Sequence, residues 1–107
     1  MQYKLNSAIT EKELRNYGFT DWSNGHWYLC KNLYKNEISL NLDILKVDYG
    51  HVEIDVLDEN VGQPYNYDWL LSVNKNAKTA NKVKKAYDKI MKKLLKDEIL
   101  LEVKDNE

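Results

Sequence analysis

His26 and Cys30 are the residues whose types could make a nucleophile and its base, since an imidazole beside a thiol is the pairing that activates cysteine. Their spacing argues against it. Four residues apart on one extended strand, they share a face but sit about 13 Å from each other, beyond any hydrogen bond. Cys30 is expected instead as a small buried hydrophobe. His51 falls beside a turn with no partner ligands at metal-binding spacing. The chain contains no P-loop, no HExxH and no GxSxG. The expectation is a protein that is not an enzyme and that uses neither cofactor nor metal.

Charge is the stronger signal. The net charge is −1, but from Glu37 to Asp68 there are eight acids and one lysine, and from Lys75 to Lys96 nine lysines and one acid. On a helix, Lys78, Lys82, Lys85, Lys89, Lys92, Lys93 and Lys96 fall within one arc of about 100°. Such a stripe is a solvated face built from a good helix former, or a footprint for polyanions. Arg15 is the one arginine, which weakens the case for bidentate phosphate or base-edge contacts. The acids gather on the outer face of a predicted sheet. Tyr28, Asp43 and Asp55 are expected in one row, with His26 and Glu53 one row away and Asp58 and Glu59 extending the patch. That face is either simply solvated or a surface for a basic partner. A third candidate is the loop "QPYNYDW", where Tyr65 and Tyr67 offer aromatic anchors and Trp69 is expected to close one end of the core.

These surfaces need elements to carry them. Thr10 and Glu13 form a capping box, Ile9 and Leu14 a hydrophobic staple and Gly18 a stop, which predicts a short N-terminal helix. Asn24-Gly25 is a two-residue hairpin signal and predicts Trp22 opposite Trp27. A strand from Trp27 to Tyr34 puts Trp27, Leu29 and Leu33 on one face, with Lys31 the exception. "EISLNLDI" alternates without a break. A two-residue turn at Lys35-Asn36 pairs Leu33 with Ile38 and Leu29 with Leu42. A three-residue loop at Asp48-Tyr49-Gly50 pairs Ile44 with Ile54 and Leu42 with Val56. Residues 58–69 read as a loop. A helix over roughly Ala77 to Lys96 carries the apolar stripe Ala80, Val83, Ala86, Tyr87, Ile90, Met91 and Leu94. "EILLEV" is either a last strand or more helix, and "QYKL" fits an edge strand.

A chain of 107 residues, 43% hydrophobic and 31% charged, is expected to form one α+β domain over 1–107. An antiparallel meander of three to five strands would pack one face on the long C-terminal helix, leaving the lysine stripe and the acidic patch on opposite sides. No run approaches a membrane span, and one cysteine with no secretion signal fits a reducing, cytoplasmic setting.

"ITEKELRNYGF", "IDVLDE" and "QPYNY", followed by a lysine-rich closing helix, together resemble small proteins of phages and prophages in Gram-positive bacteria. The resemblance implies an accessory protein of a mobile element that binds something from its host or its phage. It brings no catalytic residues. The expected function is protein binding, with nucleic-acid binding through the lysine stripe as the alternative.

Overall fold

Strict alternation of apolar and polar residues makes β3 (Ile38–Leu45) the centre of the sheet in the computed structural model, which describes residues 2–22 and 24–103. Ile38, Leu40, Leu42 and Ile44 all turn to the core and are 4% exposed or less. β2 (His26–Tyr34) and β4 (Asp48–Asp58) flank β3 antiparallel, and the two-residue β5 (Gln63–Pro64) pairs with the end of β4. The strand order β2-β3-β4-β5 is a meander. β1 (Gln2–Leu5) and β6 (Leu100–Val103) form a separate antiparallel pair, with Leu5 opposite Leu100. Among the described residues three helices complete the α+β fold: α1 (Glu11–Tyr17), α2 (Tyr67–Val73) and α3 (Lys78–Lys96).

α1 starts and stops for the reasons its sequence supplies. The Thr10 hydroxyl accepts the Glu13 N–H at 3.1 Å, and the Glu13 carboxylate accepts the Thr10 N–H at 3.2 Å. Gly18 takes φ 123°, a region open to glycine, and the Phe19 N–H then reaches back to the Leu14 carbonyl at 3.0 Å. Phe19 and Leu14 are both buried.

Four expected residue pairs, at three turns, depart from expectation. Trp22 does not face Trp27: Thr20 meets Tyr28 in an isolated bridge, and Trp22 is 74% exposed. The Asn24-Gly25 segment is committed elsewhere. The Gly25 carbonyl accepts the Lys46 N–H at 2.9 Å, and the Asn24 side chain caps His26 and donates to the Tyr28 hydroxyl. Trp27 is fully buried, and the Arg15 guanidinium and the Lys46 ammonium lie 5.0 and 4.5 Å from the centre of its ring. Both cations bind Asp21, and the hydrogen bond from Lys46 is the chief cause holding its carboxyl below the ordinary aspartate pKa. This cluster ties the chain just before Trp22 to the β3 end and leaves the indole outside.

At the next turn Leu29 does face Leu42 and Trp27 faces Ile44. Lys35 and Asn36 adopt φ of 47° and 59°, as a tight primed turn requires. A bulge then sets Tyr34, not Leu33, opposite Ile38, while Leu33 stays buried. The largest departure is between β3 and β4. The chain reverses at Lys46-Val47 rather than at Asp48-Tyr49-Gly50, and Val47 at the tip is 91% exposed. Leu45 pairs with Asp48 and Ile44 with Val52, so Tyr49, Gly50 and His51 are extra residues on β4. Leu42 therefore faces Ile54 and Leu40 faces Val56. Lys46 is held at the turn by Asp21, and the Asp48 carboxylate accepts the Gly50 N–H at 3.0 Å. The slip is two residues, so no side chain changes face.

α3 packs against α2, β2 and β6, while β1 lies against both β6 and β4. Ala80, Val83, Met91 and Leu94 are buried; Ala86, Tyr87 and Ile90 are partly so. Val83 and Leu94 share one cluster with Leu40, Leu42 and Ile44, and Ile90 sits at its margin. Lys31, on the core side of β2, escapes by laying its ammonium 5.7 Å from the Tyr17 ring. No helix among the described residues is long and apolar enough to cross a membrane.

Leu42 is 1% exposed at the middle of this core. Leu42→Ala is expected to cost about 2–5 kcal/mol in a denaturant melt, because the cavity cannot collapse in a close-packed centre. A loss under about 1 kcal/mol would place Leu42 outside the core.

Candidate functional site

The lysine face of α3 has the expected form. Lys78, Lys82, Lys85, Lys89, Lys92, Lys93 and Lys96 are all exposed. Among the described residues only Lys93 of these has a carboxylate partner, Asp97 at 2.8 Å, and Lys82 lies 6.0 Å from the Tyr34 ring. The helix buries its opposite stripe, so the positive side points away from the sheet.

The outer sheet face is less uniformly acidic than expected. The row is Tyr28–Asp43–Glu53, and Asp55 faces Asn41 rather than Asp43. The two-residue slip of β4 is the reason. Asp43 is also not a free anion, because His26 Nδ1 lies 2.6 Å from its carboxylate. The His26 ring stacks on Tyr28 at 5.7 Å and 8°. Cys30 is exposed on this face, not buried, because it projects opposite Asn41, away from the side that buries Leu29. Glu59 turns back to accept the Ser39 hydroxyl at 3.0 Å, and the Asp58 carboxylate accepts the Asn60 N–H at 3.0 Å. Glu53 and Asp55 are left as the outward carboxylates of β4, with His51 Nε2 3.4 Å from Glu53. No group of three or more His, Cys, Asp or Glu among the described residues is arranged to hold a metal ion.

The aromatic segment is built differently from a loop. Leu57 and Asp58 of β4 pair with Pro64 and Gln63, which suits proline because it lies on a sheet edge. The Asn66 side chain accepts the Trp69 N–H at 3.1 Å and starts α2, an element the sequence reading did not foresee. Asn66 with Asp68 in the following turn was the available signal. Trp69 does not close the core. It lies on the outer side of this short helix and is 59% exposed, while Tyr67, Leu70 and Leu71 are partly buried.

Tyr65 and Tyr67 instead line a hollow of about 270 Å³, shared with Ile54, Val56, Pro64 and Tyr87. Tyr67 and Tyr87 meet with ring centroids 5.6 Å apart. A second hollow of about 410 Å³ lies on the other side of Ile54 and Tyr87, between Tyr3 on β1 and Gly50 to Val52 on β4. Burial pushes the Tyr67 phenol well above the ordinary tyrosine range, with further upward pressure from Asp68, Tyr87 and Asp88. Tyr65 and Tyr87 are raised for the same first reason, with Asp58 acting on Tyr65 and Asp88 and Asp68 on Tyr87. Asp58, Asp68 and Asp88 therefore lie close to these phenols, and Lys84 binds Asp88 at 2.8 Å. Tyr87 was foreseen only as part of the helix stripe. Its phenol at a position where leucine would pack better was the sign that the stripe borders an opening.

Trp69→Ala is expected to change stability by no more than about 0.5 kcal/mol, as exposed substitutions do. A thermal melt showing a loss above about 2 kcal/mol would return Trp69 to the core.

No protein-family model and no curated protein matches the chain. A solved structure of a DUF1831 family protein from Lactobacillus plantarum is similar to it, with a TM-score of 0.68 and 14% identity, over 92% of this chain and 84% of that one. At that identity the likeness establishes the fold: the same α+β arrangement occurs in a protein of very different sequence.

Proposed function

We propose that this is a non-enzymatic binding protein that works in the cytoplasm as an accessory of a phage or other mobile element, by contact with another protein. The observation that carries this reading is the tyrosine-lined pair of hollows beside Ile54 and Tyr87, one of which Asp55 also lines. Tyrosine supplies rigid, amphipathic contact area at small entropic cost, which is why it is enriched where proteins meet. The motif resemblance to phage and prophage proteins supports the setting. The acidic residues Glu53 and Asp55 beside the hollows favour a basic partner surface.

The second reading, nucleic-acid binding through α3, rests on six exposed lysines without a carboxylate partner among the described residues. Affinity of that kind comes from phosphate neutralisation and falls steeply with salt.

A pull-down from a Gram-positive bacterial lysate separates the two. The partner is expected to survive nuclease treatment and the substitutions Lys82→Glu, Lys85→Glu, Lys89→Glu and Lys93→Glu. It is expected to be released by Glu53→Lys with Asp55→Lys. Release by nuclease and by the lysine substitutions, with retention by the Glu53/Asp55 variant, would overturn the first reading in favour of the second.

A further inference from the structure

Lysine and arginine side chains of this molecule repeatedly lie over its aromatic rings. Among the described residues Arg15 and Lys46 lie over Trp27, Lys35 and Lys82 over Tyr34, and Lys31 over Tyr17, at 4.5 to 6.0 Å from the ring centres. Tyr65, Tyr67 and Tyr87 are different. They line one hollow of about 270 Å³, and no lysine or arginine among the described residues lies over any of them. The charged groups that act on their phenols are carboxylates: Asp58 on Tyr65, and Asp68 and Asp88 on both Tyr67 and Tyr87. Asp55 is also a lining residue. The nearby Lys84 gives its ammonium to Asp88 at 2.8 Å, while Asp55, Asp58 and Asp68 have no cationic partner among the described residues. Ile54, Val56 and Pro64 supply the apolar part of the wall, and no residue of β1 lines this hollow.

We propose that this hollow seats one arginine side chain of the partner protein, with the guanidinium against the rings of Tyr65, Tyr67 and Tyr87 and the aliphatic stem along Ile54, Val56 and Pro64. This deepens the protein-binding reading and rests on it. Size points to a side chain. Pockets for drug-sized ligands run from about 300 to 1,000 Å³, and this hollow falls below that range. Charge points to a cation, because aromatic faces and carboxylates both attract one. A glutamate entering the same space would meet Asp58, Asp68 and Asp88 as like charges. Arginine suits the hollow better than lysine. Its guanidinium is planar, less strongly hydrated than an ammonium, and stacks on aromatic rings. Its stem can lie on apolar wall while the charge stays near the carboxylates. Tyrosine and arginine are also the residues that most often anchor protein interfaces, where lysine is depleted.

The probe is an acetylated, amidated pentapeptide, Gly-Ser-Arg-Ser-Gly, titrated into the ¹⁵N-labelled protein at near-physiological salt. It is expected to bind in the millimolar range and to shift the amides of Tyr65, Tyr67 and Tyr87. The same peptide with citrulline, a neutral isostere of arginine, is expected to bind about tenfold more weakly or worse. Tyr65→Phe keeps the ring and is expected to hold the arginine peptide within about twofold, whereas Tyr65→Leu is expected to lose about tenfold. Asp58→Asn with Asp68→Asn, two positions outside the core, is expected to weaken the arginine peptide about threefold or more and to leave the citrulline peptide unchanged. That variant keeps the test open if Tyr65→Leu does not fold. No binding of the arginine peptide, equal binding of the citrulline peptide, full affinity in folded Tyr65→Leu or in the Asp58/Asp68 variant, or shifts confined to other surfaces would each overturn the arginine site. If the site fails while Glu53→Lys with Asp55→Lys still releases a lysate partner, the protein-binding reading stands without it. If that variant also keeps its partner, both fall.

Discussion

Ile38, Leu40, Leu42 and Ile44 send four side chains from one face of β3 into the core, and the rest of the structure is arranged to keep water from them. Each such side chain contributes roughly 1.5–3 kcal/mol when fully buried. β2 and β4 supply hydrogen-bonded neighbours on both edges. Covering the face is harder. A helix is about 10 Å wide and strands lie about 4.8 Å apart, so one helix shields about two strands. α3 lies toward β2, and the β1–β6 pair is needed on the β4 side. Tyr3 and Tyr87 border a hollow between β1 and β4, and Tyr65, Tyr67 and Tyr87 border another between β4 and the start of α2.

The same geometry explains what could be read from the sequence and what could not. Alternation assigns residues of β3 and β4 to a face, and those assignments hold over Ile38–Ile44 and over Val52–Val56. It does not distinguish registers that differ by two. Ile44–Ile54 and Ile44–Val52 are equally consistent with the apolar pattern, and the choice fell to Lys46, whose partners Asp21 and Trp27 come from distant parts of the chain. Trp22 illustrates the limit of a local signal. Asn24-Gly25 does make a sharp bend, with Gly25 at φ 83°, but its backbone continues the β2–β3 ladder through Lys46. Helix boundaries were more legible, because the Thr10–Glu13 box and the spacing of Val83, Met91 and Leu94 are determined within a few turns.

Of the candidate surfaces, the lysine face was fully legible, since helical periodicity alone places it. The acidic face was legible in composition but not in pairing. His26 engages Asp43 and Ser39 engages Glu59, neither of which a linear pattern reveals. Tyr65 and Tyr67 were identifiable as an aromatic pair, yet their partner Tyr87 is twenty residues away and the unpaired backbone of Val52 and Ile54 has no signature in side-chain type. Edges are properties of topology. Strands normally guard them with charge, and Glu53 and Asp55 are the exposed acids of this stretch of β4.

Amide hydrogen exchange of the free protein tests most directly whether the β1–β6 pair covers the β4 side as a separate layer. Glu53 and Asp55 pair with Asp43 and Asn41 in the hydrogen-bonded positions of the β3–β4 ladder, whereas Val52 and Ile54 point outward, as Val56 does with its carbonyl on the Tyr65 N–H. The account predicts slow exchange at Glu53 and Asp55 and fast exchange at Val52 and Ile54, an alternation within four consecutive residues. Equal protection across Val52 to Asp55 would mean that β1 hydrogen-bonds to β4 and extends the sheet, and would contradict it.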